Sequence, residues 1–348
     1  MSHSIGVALA TACVVVTTVL TSTPAGATTS VTFNNPVALA VANGNLFVAN
    51  RGANSITELS SNGALIRVIN DKADGLAQPQ ALAVNGNNLF VANGVGTITD
   101  LDTTTGALIR VIAASKDRLG NPIALLSVHR QLWIANASSS SLTVINATNG
   151  ALIKVIAKGK GAPSFDHPDA LAVTPSRSDV WVTNPTNSTV TEVDARTLTV
   201  ASVVSSDVGL FSNPDGIAID GTAIFVANAG SNSVSMLSTS AGSLIQNIGN
   251  SSLNGGYGFN APASMTSWGH DVFVTSPPGD SPMVTQISAL TGDSNWMMCN
   301  TNFAFHFLAP SALAINGSHL WVANAGNNTL TEMDATTGAL VRDIPQGS

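Results

Sequence analysis

Charge is scarce in this chain: of 348 residues, 13 are Lys or Arg and 20 are Asp or Glu, together 9%. With 44% hydrophobic residues beside so little charge, the composition excludes intrinsic disorder, which needs the opposite balance. The net charge of −7 leaves no positive surplus to neutralise phosphates, so no nucleic-acid partner is expected. There is one Tyr and there are two Cys, too few for a disulfide scaffold. No Gly-x-Ser-x-Gly, Walker loop, His-Glu-x-x-His or Cys-x-x-Cys occurs, and these absences remove the familiar signatures of hydrolase, nucleotide and zinc chemistry. No segment sustains a helical period.

The first fifty residues contain no charged residue; the first is Arg51. Within them Ile5 to Leu20 form an apolar run with Thr, shorter than the roughly 20 residues that span a bilayer, and Ala25-Gly26-Ala27 has the small-x-small form of a signal-peptidase site. Residues 1–27 therefore read as a secretory signal peptide, with an uncleaved N-terminal anchor as the alternative. The mature chain is expected to be secreted or associated with the cell envelope, monomeric and without a membrane span. Cleavage would remove Cys13 and leave Cys299 alone, so stability must come from a core rather than from cross-links.

What the chain has in abundance is repetition. Leu46-Phe-Val-Ala-Asn50 recurs as Leu89 to Asn93, Leu132 to Asn136, Val180 to Asn184, Ile224 to Asn228, Val272 to Ser276 and Leu320 to Asn324. Each copy follows a Pro and a short apolar segment, the prolines standing at 36, 79, 122, 168, 214, 262 and 310. Four strand signals separated by Gly, Asn, Ser and Thr turns fill each unit. The second is apolar at successive positions, which requires burial on both faces. Seven units of four strands at a period of 43 to 48 residues specify an all-β fold, a seven-bladed β-propeller with four antiparallel strands per blade spanning residues 28–348. A linear β-solenoid, the alternative, usually has shorter repeats. Ring closure has two solutions: Ala339 to Ile344 completes the last blade alone, or Ser30 to Phe33 joins it.

These repeats resemble the YVTN and NHL families of β-propeller repeats, Val182-Thr183-Asn184 being the nearest copy of the first tetrad, with Trp181 in place of its Tyr. The resemblance covers about residues 36 to 344. It implies fold more strongly than activity, because such propellers include surface proteins, scaffolds, lactonases and lyases.

Polar residues present in nearly every unit serve the blade. The Asn ending each second strand is expected to bond the turn that follows. Asp102-Thr-Thr-Thr-Gly106 and Asp334-Ala-Thr-Thr-Gly338 read as hairpins in which Asp accepts backbone N–H groups and Gly takes a positive φ; no Trp follows the Gly, so nothing points to a quinone. Glu58 with Arg67, Asp100 with Arg110 and Glu332 with Arg342 read as cross-strand salt bridges on the outer hairpins rather than catalytic carboxylates.

Residues that break the pattern are the candidates for function. The strand-four to strand-one linkers vary, and variable loops on a fixed scaffold concentrate binding residues. The residue after each Pro, in order Val37, Gln80, Ile123, Asp169, Asp215, Ala263 and Ser311, is expected at the mouth of the central channel. Gln80, His167, Asp169, Asp215 and Ser311, with Tyr257 and His306 from the linkers, form the candidate ligand site. Asp166, Asp169 and Asp215 are candidate ligands of a divalent cation, Ca²⁺ or Mg²⁺ suiting oxygen donors; bonding to nearby backbone N–H groups is the alternative role. Phe303, Phe305, Phe307 and His306 form either a ligand-contacting lip or the packing of an unusual blade. His129, His270 and His319 read as solvated turn residues. The function expected is non-catalytic binding of a protein, glycan or cell-envelope component through the variable-loop face. A metal-assisted lyase or lactonase at the channel mouth is the alternative.

Overall fold

A computed structural model describes residues 31–70, 72–113, 119–157, 165–205, 210–249, 257–277, 282–299 and 305–345. Residues 1–27, Cys13 among them, and Phe303 lie outside them. Seven sheets of four strands, each in sequence order and antiparallel throughout, make seven blades. The innermost strands are Pro36–Ala42, Pro79–Asn85, Pro122–Val128, Leu171–Val173, Pro214–Asp220, Met265–Trp268 and Pro310–Asn316. The chain is thus an all-β seven-bladed propeller.

The second strand of each blade is buried on both faces for a reason visible in the core. The seven apolar clusters each join two neighbouring blades. Phe47 packs with Leu89 and Val91 of the next blade, and Trp133 with Val180 and Val182. Trp321 meets Leu46 and Val48 across the closure between the last blade and the first. Phe47, Phe90, Trp133, Trp181, Phe225, Phe273 and Trp321 are all buried, each contributing roughly 1.5–3 kcal/mol.

The last blade is completed by its own fourth strand, Leu340–Ile344. Val31 and Phe33 join the closing core without joining the sheet. Phe305 and Phe307, stacked at 5.3 Å, are buried between the sixth and seventh blades, so the packing reading of that linker holds for them. Cys299 ends the fourth strand of the sixth blade.

One expectation about repeated polar groups is corrected and another holds. The strand-two Asn bonds the strand that follows and the linker that precedes it rather than the turn's backbone: the Asn93 amide donates to Thr97 Oγ1 at 3.1 Å and Thr99 Oγ1 at 3.0 Å, and its Oδ1 accepts the Ala77 N–H at 3.1 Å. It therefore pins the preceding linker. The cross-strand salt bridges expected of the outer hairpins are formed, Glu58, Asp100 and Glu332 lying fully buried beneath Arg67, Arg110 and Arg342. His319 is also more than a solvated turn residue, since its Nδ1 lies 2.9 Å from Glu332.

Candidate functional site

Each inner strand begins at the face that carries the strand-four to strand-one linkers, so the first residues of the seven strands ring one end of the channel. There they enclose a cavity of about 490 Å³ lined by Val37, Gln80, Ile123, Asp169, Asp215, Ala263 and Ser311 together with their immediate successors. All seven positions expected at the mouth are at the mouth.

Most of its polar groups hold the ring together. Gln80 donates through Nε2 to Asn121 Oδ1 at 3.0 Å and to the Pro122 carbonyl at 3.1 Å, bridging the second and third blades. Ser311 donates to the Pro36 carbonyl at 2.6 Å across the closure. The remaining polar feature is the pair Asp169 and Asp215, from the fourth and fifth blades. A short inner strand in the fourth blade leaves Asp169 ahead of the ladder, its N–H donating to the Thr183 carbonyl at 3.0 Å.

Thr183 is what brings the two acids together. Most blades have Ala at this position, as at Ala49, Ala92, Ala135, Ala227 and Ala323. The Thr183 hydroxyl accepts the Ala170 N–H at 2.9 Å and donates to the Asp215 carbonyl at 3.0 Å, tying the two blades at the level of the acids. Asp169 keeps partial exposure to the channel, yet burial of its carboxyl, followed by the hydrogen bond and charge of Asp215, pushes its pKa up to about 8. At neutral pH Asp169 is therefore protonated beside Asp215. Beside them Gly216 packs so closely on the sixth blade that a Cβ would lie 1.7 Å from the Ala263 carbonyl oxygen.

The other candidates are placed elsewhere. Asp166 and His167 do not line the cavity. The Asp166 N–H bonds Asn184 Oδ1, and His167 occupies the position before Pro, which is left-handed in every blade, as in Asn35, Gln78 and Asn121. In the first, second and sixth blades the N–H of that residue is held by an Asn of the preceding blade, as Gln78 is by Asn54 at 2.6 Å. These clasps went unread in the sequence; their signal is Asn54, Asn232 and Asn328 at corresponding places in the loop between strands two and three. Asp166 is therefore not gathered with Asp169 and Asp215, and among the described residues no group of three or more His, Cys, Asp or Glu is arranged to hold a metal ion.

Tyr257 is buried in the core between the fifth and sixth blades, stacked on Phe259 at 5.5 Å, with its hydroxyl donating to the Gly292 carbonyl. His306 is on the outer rim of the last blade, its Nδ1 2.6 Å from Asp343. Gln80, Asp169, Asp215 and Ser311 are thus brought together, and His167, Asp166, Tyr257 and His306 are not.

Among the described residues no helix is long and apolar enough to cross a membrane. The architecture is that of the seven-bladed propellers. Solved structures similar to it include virginiamycin B lyase from Staphylococcus aureus, 12% identical, with a TM-score of 0.68 over 84% of this chain and 92% of that one. Hydrazine synthase of Kuenenia stuttgartiensis is 15% identical, with a TM-score of 0.69 over 90% and 99%. The computationally designed Ika8 protein is 17% identical, with a TM-score of 0.64 over 92% and 90%. At these identities the likeness is one of fold. No family model and no curated protein matches the sequence.

Proposed function

We propose that the protein is a non-catalytic binding propeller, of the YVTN/NHL type, whose channel mouth receives a cationic group of a protein or glycan of the cell envelope. The observation that carries this is the pair of neighbouring carboxyls, Asp169 and Asp215, in the wall of a cavity of about 490 Å³, with the Asp169 pKa raised by burial and by Asp215. An amine entering beside the pair replaces the proton as counter-charge, which makes binding favourable and coupled to proton release. In this reading residues 1–27 direct export and are removed, which N-terminal sequencing of the secreted chain would show.

The test is calorimetric titration at pH 7 with N-acetyl-lysine amide, glucosamine and calcium chloride, in buffers of different ionisation enthalpy. Saturable amine binding with proton release, lost in Asp169→Asn/Asp215→Asn, is expected. Amine binding that survives both substitutions would overturn the proposal. A carboxyl poised near neutral pH also suits general acid–base chemistry, the lyase or lactonase reading. Turnover of a lactone abolished by the same double substitution would replace binding by catalysis.

A further inference from the structure

The face opposite the channel mouth is formed by the turns between strands one and two and between strands three and four. In four blades the first of these turns begins with a left-handed glycine, Gly86, Gly221, Gly269 and Gly317. Three blades depart from this: in the first, Asn43 holds the position at φ 52°, and the other two are neighbours. In the third, His129 occupies the glycine position at φ 56°. In the fourth, the turn between Thr174 and Asp179 is two residues longer, with Arg177 at φ 57°. Left-handed backbone is unfavourable for a residue with a side chain, and these two turns adopt it where four blades use glycine.

These two turns face each other across a cavity of about 510 Å³ lined by His129, Gln131, Ser176, Arg177, Ser178 and Arg196, with Asp194 and Ala195. The backbone around it is held firmly. The His129 carbonyl accepts the Asn85 amide at 2.7 Å, the Arg177 N–H donates to Thr174 at 2.8 Å, and the Ala195 N–H donates to Ser178 at 2.7 Å.

Its chemistry is that of donors. Arg177 and Arg196 bring two guanidinium groups to this cavity in a chain of net charge −7, neither in a close ion pair of the kind that holds Arg67, Arg110 and Arg342. The carbonyl of Gln131 accepts the Trp133 indole N–H at 3.1 Å, which leaves the amide NH₂ as its remaining polar group. The one acid of the lining is turned to its own hairpin: Asp194 Oδ1 accepts the N–H groups of Arg196 and Thr197 and the Thr197 hydroxyl, and these bonds, with a smaller contribution from the charge of Arg196, lower its pKa.

We infer that this cavity between the third and fourth blades is an oxyanion-binding site, taking the sulfate, phosphate or carboxylate group of a small molecule or acidic sugar between Arg177 and Arg196. Two guanidinium groups provide the bidentate donors such groups require. The site is independent of the channel mouth, and its test does not depend on the reading given to Asp169 and Asp215.

Calorimetric titration of the full chain with sodium sulfate, sodium phosphate and sodium glucuronate, at ionic strength held constant with sodium chloride, tests this. One saturable site is expected for at least one of the three, and the anion preferred separates an inorganic ligand from an acidic sugar. Arg177→Gln/Arg196→Gln should weaken it at least tenfold without moving the melting temperature in chloride, and Arg51→Gln on the opposite face should leave it unchanged. Absence of saturation with all three anions, or binding that survives the double substitution, overturns the site.

Discussion

Arg342 of the last blade donates to the carbonyl of Asn62 in the first, while its Nε lies 2.6 Å from the buried Glu332 of its own blade. Arg67 and Arg110 repeat the arrangement, reaching Thr104 and Thr148 of the following blades at 2.7 Å. One side chain thus neutralises a buried acid and clasps the next blade. Arg342→Ala strands Glu332 with only His319 beside it, and because the guanidinium is partly exposed the expected loss is about 1–3 kcal/mol. Lys154 has Val144 opposite it instead of an acid and only a 3.5 Å bond to Thr197, so Lys154→Ala should cost under about 1 kcal/mol. Urea midpoints compare the two; equal losses would show that the buried acid is not what matters.

The acid pair predicts a pH dependence. The Asp169 carboxyl moves from the ordinary 3.8 to about 8 on folding. Between those values the native chain keeps a proton that the unfolded chain has lost, so this group makes stability fall as pH rises through that window, by up to ~1.4 kcal/mol per pH unit. Asp100, Asp271 and Glu332, raised by burial, act in the same sense. Asp102, Asp194 and Asp334, lowered chiefly by backbone bonds in their turns, act oppositely, adding stability above the usual carboxyl range that is lost as pH falls. Asp169→Asn removes only the first contribution. The difference between variant and wild-type melting temperatures should grow in the variant's favour from pH 5 to 8; a constant difference would mean that the Asp169 pKa is not raised.

Thr183→Val keeps the shape of the side chain and removes both hydroxyl bonds, one to Ala170 within the fourth blade and one to Asp215 of the fifth. The expected cost is about 1–3 kcal/mol, accompanied by a fall in the Asp169 pKa as Asp215 moves away. Carboxyl titration by NMR checks this, and an unchanged Asp169 would show that Thr183 does not position the pair.

Gly216→Ala places a Cβ against the Ala263 carbonyl of the next blade, where nothing flexible can yield. A loss of about 3 kcal/mol or more is expected, since a backbone rather than a side chain must move. Gly86→Ala meets open space and should cost only its left-handed φ, about 1–2 kcal/mol. Denaturation midpoints distinguish the two.

The fold was legible because it is written seven times. A Pro before each inner strand and an aromatic in the middle of each second strand leave no other way to bury strands apolar on both faces. The channel-lining positions were legible for the same reason, being the residues after the prolines. Tyr257 and His306 misled because rarity in a linker says nothing of direction: one side chain turns into the core and the other onto the rim. The oxyanion cavity has a signal in the lost glycine at His129 and the longer turn around Arg177, but those residues stand 48 apart and only adjacent blades make them neighbours.

Local chemistry by itself determined the strands, their turns and the number of blades, since alternation, turn residues and repeat length act over a few residues of chain. Closure of the ring decided the rest. Whether Asp169 meets Asp215, whether Arg342 reaches Asn62 and whether two arginines face one cavity all depend on contacts between blades. Their energies are set by burial and by distances through space that no stretch of sequence contains.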